Sequence, residues 1–170
     1  MSGEWNRLDQ ETKDKIEVFQ EKGPVKLSLI AQALEVEVKS ATLKPGISGE
    51  IKRKDGDGYR IRVNRHDPKK RQRFTVAHEL AHFLLHQDQI GDGIEDDKLY
   101  RSTLSDRTEQ EANRLAAEIL MPRNLVEDAL EAAEEKGVGD KVLFVADELN
   151  VSESAMAIRF EVLGIDPNGA

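Results

Sequence analysis

Along this 170-residue chain, apolar residues recur at helical spacing from about Leu8 to Gln20 and again from about Val25 to Leu34, with Gly23-Pro24 as punctuation between the runs. The period then shortens. Val36-Glu37-Val38, Gly49-Glu50-Ile51 and Tyr59 to Val63 alternate in character and are separated by Lys44-Pro45-Gly46 and Asp55-Gly56-Asp57-Gly58. These runs predict a small antiparallel sheet of about three strands. After Asn64 helical spacing returns, over about 72–86, 107–120, 123–136, 141–149 and 153–163. Strands early and helices late predict an α+β fold in which the sheet packs against a mainly helical body. Between His86 and Arg107, the loop 87–107 is polar, rich in Asp and Gly, and long for a connection inside a domain. It reads either as a lid over a cleft or as disorder.

Composition narrows this picture. With 38% hydrophobic and 34% charged residues, the chain suits one compact domain spanning 1–170. Cysteine is absent, which excludes disulfides and thiolate metal sites and leaves His, Asp and Glu as the possible metal donors. That suits a reducing, cytoplasmic setting. The first residues are polar, and no run approaches the roughly 20 apolar residues of a membrane helix, so neither export nor membrane insertion is expected. Twenty-five basic against 33 acidic residues give a net charge of −8, which opposes binding to a polyanion. The segment from Lys52 to Arg73 reverses this locally, with ten basic and three acidic residues, and reads as a solvated edge strand and loop.

The chemistry is concentrated in Phe74 to His86, where His78-Glu79-Leu80-Ala81-His82 has the HExxH spacing on an apolar helical run. Four residues advance a helix by about 400°, so the two imidazoles share a face one turn apart and can bind one ion. Glu79 lies about 100° around the helix, beside such an ion, where a general base would stand. A hydrogen-bonded pair of core histidines is the bland alternative, but flanking apolar residues would then bury polar groups at a desolvation cost.

A third donor must come from elsewhere. The HExxHxxGxxH arrangement fails, because Leu85 stands at the glycine position and Asp88 at the last one. The other common solution is a glutamate on a second helix, completed by water. In Thr108 to Pro122, helical phase puts Glu109 with Ala112, Asn113, Ala116 and Leu120 on an inward face. Glu111 falls with Arg114 and Glu118 on what reads as a solvated face. Asn113 either orients a histidine ligand or plays a capping or buried structural role. His86, two turns beyond His78 and about 80° round, is either a supporting partner of the ligands or the polar end of its helix. His66, before Asp67-Pro68, reads as exposed.

These segments resemble the ImmA/IrrE family of bacterial metallo-endopeptidases, whose core pairs an RFTxAHELxHxLLH segment with a later ExxANxFAxxLLMP helix. Arg73 to His86 and Glu109 to Pro122 carry the two patterns here, departing at Leu115, where the family usually has Phe. The resemblance implies a zincin-like fold, Zn2+ as cofactor and a zinc ligand at Glu109, in agreement with helical phase. It further implies cleavage or inactivation of a helix-turn-helix transcriptional repressor, relieving repression under stress.

The expected reaction is therefore peptide hydrolysis by water activated on a zinc held by His78, His82 and Glu109, with Glu79 as base. Tyr100 and Arg101 are candidates for steadying the carbonyl oxygen. A non-proteolytic zinc-bearing module that sequesters a repressor is the alternative. The segment 140–165 reads as helix, turn, helix, but its second helix carries a single cation, Arg159, so docking or packing is favoured over DNA binding.

Overall fold

The computed structural model describes residues 2–169. Its elements are α1 (Gly3–Asn6), α2 (Gln10–Glu17), α3 (Leu27–Ala33), β1 (Val36–Ala41), β2 (Ile47–Arg53), β3 (Tyr59–Asn64), α4 (Lys69–Leu85), β4 (Ile94–Asp97), α5 (Asp106–Leu120), α6 (Arg123–Glu135), α7 (Lys141–Leu149) and α8 (Glu153–Leu163). The fold is α+β, as the pattern of periods predicts, and is consistent with a zincin-like arrangement.

The sheet differs from expectation in two ways. It has four strands rather than three, in the order β1-β3-β2-β4. Its first pairing is parallel, Val36 opposite Tyr59 and Ala41 opposite Asn64, while β2 pairs antiparallel with both β3 and β4. The connection 42–46 explains the parallel pair: it leaves β1 beside the end of β3 and crosses that end to start β2, instead of folding back as a hairpin. The expected hairpin joins β2 to β3, where Gly56 (φ 99°) and Gly58 (φ 89°) take backbone angles open to glycine. The fourth strand comes from the loop 87–107, so that segment is largely neither free lid nor disorder; it is tied into the sheet by pairing of Ile94 with Ile51 and Asp96 with Gly49.

Gly49 decides how the sheet meets the helices. A Cβ there would stand 2.3 Å from Thr75 Cγ2 and 3.3 Å from Glu79 Oε2, so a side chain at 49 would push α4 off the strand. Residues Thr75 to His82 of α4 are consequently buried without interruption, against the sheet on one side and α5 on the other. The small residues Ala77, Ala81, Ala112 and Ala116, all fully buried, permit that second approach.

One face of α5 is not what its sequence suggests. Glu118 is 6% exposed and accepts from the Ser2 backbone N–H at 3.3 Å, Arg114 pairs with Glu4 at 2.9 Å, and Glu111 pairs with Arg7 at 2.8 Å. The four-residue α1 and its flanks cover Glu118 and most of Glu111 on the face read as solvated, while Arg114 stays about half exposed, and an element that short leaves no periodicity to read. At the other end of the chain, Asp140 and Ser152 cap α7 and α8 and the left-handed Asn150 turns between them, giving the helix-turn-helix outline. Arg159 points inward, 7% exposed, and donates to the Met121 carbonyl at 2.8 Å, which removes the cation a DNA reader would need.

Candidate metal centre

α4, β4 and α5 converge on one buried point. One donor atom from each of His78, His82, Asp96 and Glu109 lies within 4.8 Å of the others. The His78 and His82 Nε2 atoms are 3.1 Å apart; Glu109 Oε1 is 2.6 Å from His82 Nε2 and its Oε2 is 3.6 Å from His78 Nε2. Asp96 Oδ1 lies 3.4 Å from His78 Nε2 and Oδ2 lies 3.6 Å from His82 Nε2. His78, His82, Glu79 and Asp96 have no exposed surface, and Glu109 is 5% exposed.

The far ring nitrogens define the tautomers. His78 Nδ1 lies 2.9 Å from Asn113 Oδ1, an atom that only accepts, so Nδ1 carries the proton and Nε2 presents its lone pair. His86 Nε2 lies 3.0 Å from Glu111 Oε1, again acceptor-only, and donates to it. Burial lowers the His86 pKa, opposed by the Glu111 hydrogen bond, so the ring is neutral and its Nδ1 accepts from His82 Nδ1 at 3.0 Å. His82 Nε2 is thereby bare as well. In these neutral tautomers the two Nε2 atoms face one another among carboxylates, and the buried oxygens of Glu79, Asp96 and Glu109 meet only the two imidazoles and each other among the described residues.

Such a cluster demands positive charge. Burial pushes the His78 pKa down, yet Asp96 and Glu109 outweigh it and raise it to about 9, a proton then standing where the charge is wanted. Burial opposes ionisation of Glu109, but hydrogen bonding to His78 and His82 holds its pKa well below the usual carboxylate range. Burial pushes Asp96 up, with His78 opposing. Glu79 is driven furthest up, by burial first and then by the charge of Asp96 and a hydrogen bond to it. Two imidazoles and two carboxylates on one point are the donor types of a divalent transition-metal site, and their inward-facing nitrogens and oxygens, with no lysine or arginine among them, fit such an ion.

The three donors expected from the sequence, His78, His82 and Glu109, are brought together, with Glu79 beside them. Asn113 and His86 each meet a histidine of the cluster, whereas Glu111 reaches it only through His86. His66 is exposed beside Thr42, and Arg101 turns away to Asp97 at 3.0 Å. Tyr100 packs its ring 4.9 Å from that of His78 and has its hydroxyl 3.3 Å from Thr75 Oγ1.

Asp96 was not foreseen. On β4 the inward positions are Ile94 and Asp96, and a carboxylate at an inward position breaks the apolar alternation by which a strand is read. The available signal was parity: two residues after Ile94, it must face the same way.

Beside the cluster runs a groove of about 620 Å³ between α4, α5 and α8. Its charged lining residues are Lys70, Arg71, Arg114 and Arg159, all cations in a chain of net charge −8, and Asn113 and Tyr100 join it to His78. Ile158 and Val162, 61% and 66% exposed, form part of its apolar wall.

The sequence matches the family model described as the IrrE N-terminal-like domain, Peptidase_M78, over residues 31–161, a span that contains α4, β4 and α5. No curated protein matches the chain.

Proposed function

The chain belongs to the IrrE N-terminal-like peptidase family, Peptidase_M78, and from that premise we propose that it is a zinc-dependent endopeptidase in which His78, His82 and Glu109 hold the metal and Glu79 moves the proton. The observation that carries this reading is the convergence of the His78 and His82 Nε2 atoms and the Glu109 carboxylate on one buried point with no lysine or arginine among them, and a protonatable, fully buried Glu79 alongside. Zinc there supplies Lewis acidity, which makes water acidic enough to ionise near neutral pH and polarises a peptide carbonyl. Glu79 accepts the proton released by the attacking water on its carboxylate and passes it to the leaving amine. Asn113 and the His86–Glu111 pair hold the two imidazoles in the tautomer that leaves Nε2 free. Tyr100, against His78, stands at the end of the groove beside the site.

A metallopeptidase family implies a protein substrate. We assign its docking to the groove beside His78, where apolar walls suit a segment with aliphatic side chains and Arg71, which has no carboxylate partner among the described residues, suits an acidic neighbour. The cytoplasmic helix-turn-helix repressor implied by the family resemblance is the substrate we propose, with residues 1–170 acting as one domain and 140–165 as part of its docking surface. Among the described residues, no helix is long and apolar enough to cross a membrane.

Asp96 favours a second reading. Four protein donors on one ion make a closed site, the arrangement of structural rather than catalytic zinc, and would suit a module that captures a repressor without cutting it. Incubating the zinc-loaded chain with the repressor encoded nearest its gene, with and without a chelator, and weighing the products by mass spectrometry separates the two. Chelator-sensitive fragments support hydrolysis; a repressor bound but intact supports the second reading.

A further inference from the structure

A tetrahedral ion about 2.1 Å from each donor spaces those donors about 3.4 Å apart. The approaches here are 3.1 Å between the imidazoles, 3.4 and 3.6 Å from His78 and His82 to the two oxygens of Asp96, and 3.6 and 2.6 Å from them to the two oxygens of Glu109. Asp96 therefore lies within reach of the same ion as the three residues the sequence picks out. It is fully buried, and its oxygens meet only the imidazoles and carboxylates of the cluster among the described residues. It also lies beside Glu79.

From this geometry, and resting on the metallopeptidase reading above, we propose that Asp96 is a fourth protein ligand that fills the position hydrolysis requires for water, so that the site is closed until Asp96 withdraws. The chain around it is built to let go. β4 is a four-residue edge strand paired to β2 alone, and that pairing slips register between Ile47 and Gly49. Before it stand Gly91 (φ 51°) and Gly93 (φ 138°), and after it Tyr100 (φ 57°). Tyr100 is three residues beyond the strand and packs on His78, so withdrawal of β4 carries away both the closing carboxylate and the ring at the end of the substrate groove. An arriving substrate segment that displaces Tyr100 would thus open the coordination position it needs. The closed site would protect other proteins from cleavage until a partner docks.

The test reads the metal directly. The chain is stripped, loaded with Co2+, and its visible absorption followed while acetohydroxamate, a small metal-binding probe, is added; Zn2+ affinity is measured separately by competition with a chelator. Asp96→Ala should bind Zn2+ about tenfold or more weakly, and its cobalt spectrum should respond to acetohydroxamate at about one tenth of the concentration the unaltered chain needs. Asp96→Asn, which preserves size, guards against loss of folding and should fall between the two. Equal affinity and equal response in all three chains would overturn the role of Asp96 while leaving the metallopeptidase reading intact. Failure of the unaltered chain to bind Co2+ or Zn2+ at all would overturn both.

Discussion

On the face of the sheet turned away from α4, Glu50 is 4% exposed, is bonded to Arg62 and has the Lys52 ammonium 3.6 Å away; on the other face Glu79, Asp96 and Glu109 are buried as deeply with no lysine or arginine paired to them among the described residues. Both regions bury carboxylates at the same strand. One carries its counter-charge in the chain and is complete; the other offers five acid and imidazole side chains and must import a cation or hold a proton. Burial alone therefore does not mark a functional acid. What marks it is burial without an internal partner, because such a cost persists only where something else offsets it.

The contrast breaks most completely if Glu109 is replaced. Glu109→Ala should lower zinc affinity by more than about a hundredfold and abolish cleavage, as read by metal content after dialysis; the same loss from Glu111→Ala alone would contradict the assignment. Glu79→Gln should keep its metal and fold yet lose about 10² to 10⁴ in cleavage rate, and full retained activity would remove Glu79 from its role. Acid should compete with the metal. His78, raised to about 9, holds its proton at neutral pH in the cation-free chain, so apparent metal affinity should climb as pH rises toward 9 and fall by about tenfold per unit below it, measurable by equilibrium dialysis. Asn113→Ala, which frees His78 Nδ1, should weaken zinc binding by about tenfold without unfolding the chain. The smallest effect is expected on the opposite face. Glu50→Gln should cost about 1–2 kcal/mol in denaturant unfolding, since Arg62 is partly exposed and can find water, and should leave metal affinity unchanged. A change in zinc binding there would mean that the two faces are coupled after all.

Much of the site could be read locally. His78 and His82 share one helix, so four residues of spacing placed their rings together before any packing was known; the inward phase of Glu109 followed from the small residues around it on α5. The same reading misjudged Glu118, because its outward phase was correct for α5 in isolation while α1 was folded across it. It missed the parallel pairing of β1 with β3, since alternation reports which residues share a face and not which neighbour a strand selects.

The amino-acid sequence by itself determined the α+β order of elements, the imidazole pair, the Glu79 beside it and the inward glutamate, because each is written in the period of a single helix or strand. The tertiary structure alone decided that β4 leaves the long loop to join the sheet, that Gly49 lets α4 settle onto β2, and that Asp96 arrives at the same point as Glu109. The physical reason is distance along the chain. A period repeats over a few residues, whereas the meeting of three elements depends on how strands pair and helices approach, and that is settled by the packing of the whole core.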